Sequence, residues 1–186
     1  MQGSKQDHLY ISTESYQFCV LRYENNTIIT TTNGDIKDRS GKPVDIGHIG
    51  IIDPSKTMIL MHLYDRLLKI LPIDKNNNFE STYNLRIDEL TVLDIKFLEG
   101  YNVPTLAILY QDHQDSRHVK TYCITQEQKL EKGPFHLANV ESKSSILIPV
   151  AAKVGGGFLV VGEKTISYKN ENSEKTIHID PTMITT

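Results

Sequence analysis

Apolar and polar residues alternate along this chain in short bursts, and the bursts return at a regular spacing. Four strand-like segments end alike: Leu9-Tyr10-Ile11-Ser12-Thr13, Leu60-Met61-His62-Leu63-Tyr64, Leu106-Ala107-Ile108-Leu109-Tyr110 and Phe158-Leu159-Val160-Val161-Gly162. Their last residues lie about 46 to 52 positions apart, close to the period of a propeller blade. Each segment is followed by a short polar turn and a second, alternating strand, at Gln17 to Tyr23, Lys69 to Leu71, His118 to Ile124 and Thr165 to Tyr168. Period-two patterning after a tight polar turn is the mark of a hairpin with one buried and one wet face. Three of the hairpins are preceded by a more continuously apolar strand, at Ile49 to Ile52, Val92 to Leu98 and Ser145 to Val150. More polar outer strands are expected at Thr27 to Thr32, Phe79 to Leu85, Phe135 to Val140 and Lys175 to Ile179.

Four antiparallel strands make one blade, so the pattern predicts an all-β chain of about three full blades plus a partial one, an incomplete β-propeller. The expected blades are residues 1–37 (partial), 38–90, 91–142 and 143–186. Asn33-Gly34, Asp53-Pro54, Gly133-Pro134 and Gly155 to Gly157 read as linkers, because these residues turn the chain cheaply. A short helical turn is expected at most within Ser81 to Val92. An open ring leaves two broad apolar faces that something must cover. The chain is thus expected to be a piece or short product of a larger propeller, with a small closed four-bladed ring as the alternative, and to self-associate in isolation.

Composition narrows the class. Hydrophobic residues make up 39% and charged residues 23% of 186 positions, which excludes disorder and disulfide-dense scaffolds. Lys and Arg number 20 against 23 acidic residues, so no global positive field favours direct DNA binding. Cys19 and Cys123 lie far apart in apolar strands and are expected to be buried free thiols. No apolar run approaches the roughly 18 residues of a membrane span, and the first residues lack the order of a secretory signal. A reducing compartment, nucleus or cytoplasm, and no membrane partner are therefore expected, and the sequon Asn25-Asn26-Thr27 carries no weight.

Chemistry-bearing residues are sparse. Asp112, His113, Asp115 and His118 crowd into one short loop, where a metal site is conceivable, yet their spacing matches no established ligand pattern and a polar hairpin tip explains them. They define the alternative reading, a small propeller enzyme or ligand-binding module with a loop metal site. Gly157 to Thr165 nearly spells a phosphate-binding loop, but Glu163 separates Gly162 from Lys164, and the residues after it alternate as a strand where that motif needs a helix. A β-turn at Glu163-Lys164 is expected instead. His48, His62, His136 and His178 are scattered and read as structural or solvated. Asp88, Glu89 and Asp94 could form an acid and base pair only if folding brought them to one cleft, and a solvated strand edge explains them equally. No catalytic, cofactor or metal residue is assigned, and the chain is expected not to be an enzyme.

Several ordered strings carry a resemblance. Gly47-His48-Ile49-Gly50-Ile51-Ile52-Asp53-Pro54, Leu63-Tyr64-Asp65, Leu67 to Asp74, Asn84 to Leu90, Val92 to Leu98, Tyr110-Gln111-Asp112, Arg117 to Tyr122 and Lys132-Gly133-Pro134 resemble the DNA damage-binding protein 1 family. The resemblance covers about Leu9 to Thr186, more weakly before Asp38 and after Lys143, and the Asp112-to-His118 loop is longer than the family pattern. It implies a segment of the first of three propellers in a non-catalytic adaptor. That adaptor links cullin 4 ubiquitin ligases to WD-repeat substrate receptors in DNA repair and protein ubiquitination. Damaged DNA would be met only indirectly, through a partner subunit.

Overall fold

Short runs rich in Ile, Leu, Val, Tyr and Thr, punctuated by carboxylates and glycines, fold among the described residues as fifteen antiparallel strands. The structure, a computed structural model, describes residues 7–39, 41–76 and 78–179. It divides into two compact units, Met1–Gly41 and Lys42–Thr186. The first is a three-stranded meander of β1 (His8–Ser12), β2 (Gln17–Glu24) and β3 (Thr27–Asp35). Its β2–β3 hairpin turns on Asn25 and Asn26, both at positive φ, a conformation that asparagine tolerates better than most side chains. Tyr10 stacks on Phe18 across β1 and β2, with ring centroids 5.6 Å apart.

The described residues of the second unit form three four-stranded sheets, each a simple meander. They are β4 (Ile49–Ile52), β5 (Met58–Tyr64), β6 (Leu67–Pro72) and β7 (Tyr83–Arg86); β8 (Thr91–Leu98), β9 (Thr105–Gln111), β10 (Arg117–Ile124) and β11 (Leu130–Val140); and β12 (Ile146–Pro149), β13 (Phe158–Val161), β14 (Thr165–Lys169) and β15 (Glu174–His178). The all-β, incomplete-propeller architecture expected from the periodicity is the one observed.

The sheets stack face to face through two cores. Leu60, Leu68, Ile70 and Leu85 meet Ile95, Phe97, Leu106 and Ile108 between the first and second sheets. On the other face of the second sheet, Ala107, Leu109, Val119 and Leu137 meet Leu147, Phe158 and Val160 of the third. Strand β9 therefore sends Leu106 and Ile108 one way and Ala107 and Leu109 the other, and all four are fully buried. A strand wet on neither face must be apolar at every position, which is why this segment lacks alternation. Each such Leu or Ile contributes about 1.5–3 kcal/mol of burial.

Local differences from expectation have identifiable causes. Asn33-Gly34 and Gly133-Pro134 lie inside β3 and β11 rather than in linkers. Gly133 sits where the β10–β11 register shifts between Lys120 and Tyr122, and a Cβ placed there would come within 2.7 Å of the Thr121 Cβ. Glycine is thus required by a close approach of two strands. No helix forms within Ser81 to Val92, because β7 and β8 occupy its ends; among the described residues the helical element is a 3-10 turn, Ala152–Val154.

Side-chain carboxylates set several of the turns. Asp53, 2% exposed, accepts hydrogen bonds from the backbone N–H groups of Ser55, Thr57 and Met58 and from the Thr57 hydroxyl. This closes the β4–β5 connection with the Asx geometry that short aspartates favour. Both cysteines are half-buried and free, partly exposed where full burial was expected.

Candidate docking surfaces

Asp112 to Ser116 make the β9–β10 turn, His118 lies at the start of β10, and Asp112, Asp115 and His118 are engaged in hydrogen bonds. Asp112 Oδ1 accepts from the backbone N–H groups of Gln114 and Ser116, while its Oδ2 lies 3.0 Å from His118 Nε2. The bond to His118 and the backbone donors hold the Asp112 carboxyl below the usual carboxylate range. On its other side, His118 Nδ1 accepts from the Asn139 backbone N–H at 3.1 Å. Both ring nitrogens are thereby engaged, leaving no lone pair for a metal. Asp115 accepts from the Gln111 side-chain amide at 2.8 Å. Among the described residues, no group of three or more His, Cys, Asp or Glu side chains is placed to hold a metal ion.

Glu89 and Asp94 are each committed to separate partners. Glu89, in the connection from β7 to β8, is buried at 3% exposure rather than on a solvated edge. Its Oε1 accepts from Lys120 Nζ and from the Tyr122 hydroxyl, both at 2.7 Å, and its Oε2 has no partner. Burial and then the Glu89 bond push the Tyr122 hydroxyl far above its ordinary range. Burial is the largest single influence on the Lys120 ammonium and lowers it, but its bond and charge attraction to Glu89, together with Tyr110, outweigh burial and raise it. Lys120 also lies 5.0 Å above the Tyr110 ring. The group ties the inter-sheet connection to β10 across more than thirty residues of sequence, a link that no local spacing reveals.

Asp94 works between the second and third sheets. Its Oδ1 pairs with Lys96 at 2.8 Å, and its Oδ2 accepts from the Leu147 N–H on β12. The Glu163-Lys164 segment is a turn, as expected, closed by Gly162 N–H donating to the Thr165 carbonyl. Glu141 caps it, accepting from the N–H groups of Glu163, Lys164 and Thr165 and from the Thr165 hydroxyl. A carboxylate in that position occupies the donors a phosphate would need.

Two of the cavities among the described residues lie beside these bonded groups. One, about 350 Å³, runs along β10 and β11 and is lined mainly by apolar surface from Tyr110, Tyr122, Phe135 and Leu137, with Lys132 and His136 beside them. The other, about 260 Å³, lies among the 42–47 loop, the end of β5 and the start of β8. His62 in its lining is 2% exposed, and its Nε2 has no hydrogen-bond partner. Burial drives this ring's pKa down to about 4; nearby Asp65 opposes the shift and His48 adds to it. Nothing in the sequence around His62 distinguishes a buried ring beside a cavity from a solvated one.

Comparison with known proteins agrees with the fold. Residues 1–184 match the RSE1/DDB1/CPSF1 first beta-propeller family. The chain is 46% identical over 184 residues to DNA damage-binding protein 1b of Arabidopsis thaliana, covering 97% of this chain and 17% of that protein. It is 47% identical over 171 residues to DNA damage-binding protein 1 of Oryza sativa subsp. japonica, covering 90% of this chain and 16% of the relative. With DNA damage-binding protein 1 of Solanum lycopersicum it shares 45% over 184 residues, again 97% of this chain and 17% of the relative. The chain thus spans about one sixth of the length of these relatives.

Proposed function

Because the chain belongs to the RSE1/DDB1/CPSF1 first beta-propeller family, we propose that it is a non-catalytic docking segment of a cullin 4 ubiquitin-ligase adaptor. In this reading it works within a longer polypeptide of several propellers, which recruits WD-repeat substrate receptors in the nucleus and cytoplasm. Damaged DNA is met only through a partner subunit. The observation that carries the reading is the 46% identity to a DNA damage-binding protein 1 maintained over 97% of the chain. The side-chain chemistry supports it. Asp112, Asp115 and His118 of the β9–β10 turn region are engaged in hydrogen bonds, and the buried Glu89 is ion-paired with Lys120 and accepts from the Tyr122 hydroxyl. Neither group offers the free acid, base or nucleophile that catalysis requires.

The balance of 20 basic against 23 acidic residues favours protein over nucleic-acid partners. Affinity capture with the full-length polypeptide containing this segment should retain cullin 4 and WD-repeat proteins. Failure to retain either from cells that express both would end the adaptor reading. Direct binding to plain duplex DNA at physiological ionic strength would replace it with a nucleic-acid function.

A further inference from the structure

His118 joins two elements at once, and only one protonation state of its ring can do so. The residue stands near the start of β10, where the pairing with β11 shifts. Arg117 faces Val140 and Val119 faces Leu137, so His118 is opposed by both Ala138 and Asn139. That extra residue makes a bulge, and Asn139 within it adopts a φ of 55°, a left-handed conformation that asparagine tolerates better than most side chains. The His118 ring supplies the acceptor that the bulged backbone needs: Nδ1 takes the Asn139 N–H at 3.1 Å. A ring nitrogen accepts only while it carries no proton, so Nδ1 is bare and Nε2 holds the hydrogen. Nε2 then donates to Asp112 Oδ2 at 3.0 Å. The His118 side chain is 17% exposed, enough for water to deliver a second proton without the sheet opening.

We propose that His118 is a proton-operated latch on the β11 bulge, closed while the ring is neutral and opened when it takes a proton. The two contacts of the ring respond in opposite senses. The second proton goes to Nδ1, where it meets the Asn139 N–H head on, and two facing donors must part. On the other side, the imidazolium attracts the Asp112 carboxylate more strongly than the neutral ring does. The β9–β10 turn therefore keeps the ring while the bulge lets go. The other ionisable groups nearby are engaged elsewhere or stand further off. Tyr110 faces the ring from β9, with centroids 5.4 Å apart. Arg117, its neighbour on β10, is held by Gln111 and the Ser144 carbonyl, and Lys120 is bonded to Glu89. In the turn, Asp115 accepts from the Gln111 amide and His113 is exposed; on β11, His136 lines the same 350 Å³ cavity as His118. Ala138, next to the released amide, also stands in that cavity's wall, so the latch sets how freely the wall moves. The inference does not depend on the adaptor reading.

The test is NMR of the full chain with labelled histidine rings and backbone amides, from about pH 8 to about pH 5, the span in which histidine changes charge. At the upper end, Nδ1 should read as the unprotonated nitrogen of His118. As pH falls, the Asn139 amide signal should move with the same midpoint as the His118 ring. Its protection against hydrogen exchange should drop about tenfold, as expected for the loss of one hydrogen bond. The Ser116 amide, which Asp112 accepts, should keep its protection over the same span, and so separates local release from general unfolding. Asp112→Asn removes the attraction that favours the charged ring, so the ring and Asn139 midpoints should move together to lower pH. His113→Asn and His136→Asn should leave the Asn139 transition standing. A proton on Nδ1 at pH 8, an Asn139 amide indifferent to the ring's charge, or joint loss of Ser116 and Asn139 protection would each overturn the latch. So would midpoints unmoved by Asp112→Asn, or a transition that vanishes with His113 or His136.

Discussion

Tyr122 and Lys120 share a single oxygen of Glu89, so each donor's value depends on the other remaining. Removing the tyrosine hydroxyl leaves a carboxylate whose side chain is 0% exposed with one donor instead of two. Hydrogen bonds to buried charges are worth about 1.5–3 kcal/mol, and Tyr122→Phe should lower unfolding free energy by about 2 kcal/mol in urea titrations. A loss below about 0.5 kcal/mol would show that Lys120 alone satisfies the carboxylate. His62 supplies a second expectation, in pH. Its folded pKa is depressed from the ordinary 6.5 to about 4, so the unfolded chain takes up the proton first as the solution is acidified. Its contribution to stability is complete above pH 6.5 and is lost as pH falls from there toward 4. The urea midpoint should therefore drop between pH 7 and pH 5, and His62→Leu should flatten that drop; equal slopes in the two proteins would place the ring in water. These residues mark where sequence reasoning stopped. Glu89 was visible as a carboxylate, but its partners sit more than thirty positions away, and their convergence is a property of the sheet stacking.

At the scale of elements, the close approach of β10 and β11 is as constrained as any side-chain contact. Thr121 makes it, with its hydroxyl bonded to the Phe135 carbonyl and accepting from the Phe135 N–H at 3.2 Å. Gly133→Ala would push a methyl group against the Thr121 backbone, whose carbonyl carbon would lie 2.5 Å away. A loss of about 1–3 kcal/mol is expected, the range of overpacking, with faster amide exchange concentrated in β11. Uniform acceleration across all three sheets would instead mean that the strand is no local weak point. The same strand shows why some boundaries were legible and others not. Hydrophobic runs such as Ile49–Ile52 and Leu106 to Tyr110 announced their strands, because burial on one or both faces dictates apolar residues at fixed intervals. Gly133-Pro134 misled, because a bulge on an outer strand uses the same residues as a turn. The Asp112 cluster was legible as a hairpin tip for a local reason: the aspartate and the N–H groups it caps are within four residues.

For the whole molecule, the decisive feature is the face of the last sheet turned away from its neighbour. Leu147, Phe158 and Val160 of that sheet are buried against the preceding one. Alternation then sends Ile146 and Ile148 to the opposite face, together with Val161 and Leu159, their cross-strand partners. Ile166 and Ile177 extend the stripe across β14 and β15 through the same pairing. Ile146, Ile148 and Ile177 remain 50%, 44% and 61% exposed. Single exposed apolar residues are ordinary, but a contiguous stripe across four strands is the signature of an interface. A sheet whose other face is dry presents here what a further sheet would cover, by the same stacking that joins the three sheets of this unit. In solution, copies of the chain should use this stripe on one another, so the mass measured by light scattering should rise with concentration. Replacing Ile148 and Ile177 by glutamate places like charges on both mating surfaces, which should abolish that rise while leaving the buried face, and hence the folded spectrum, unchanged. A chain that is monomeric at every concentration before the substitutions would remove the stripe from consideration as a contact surface. A rise that persists after them would move self-association to another part of the molecule.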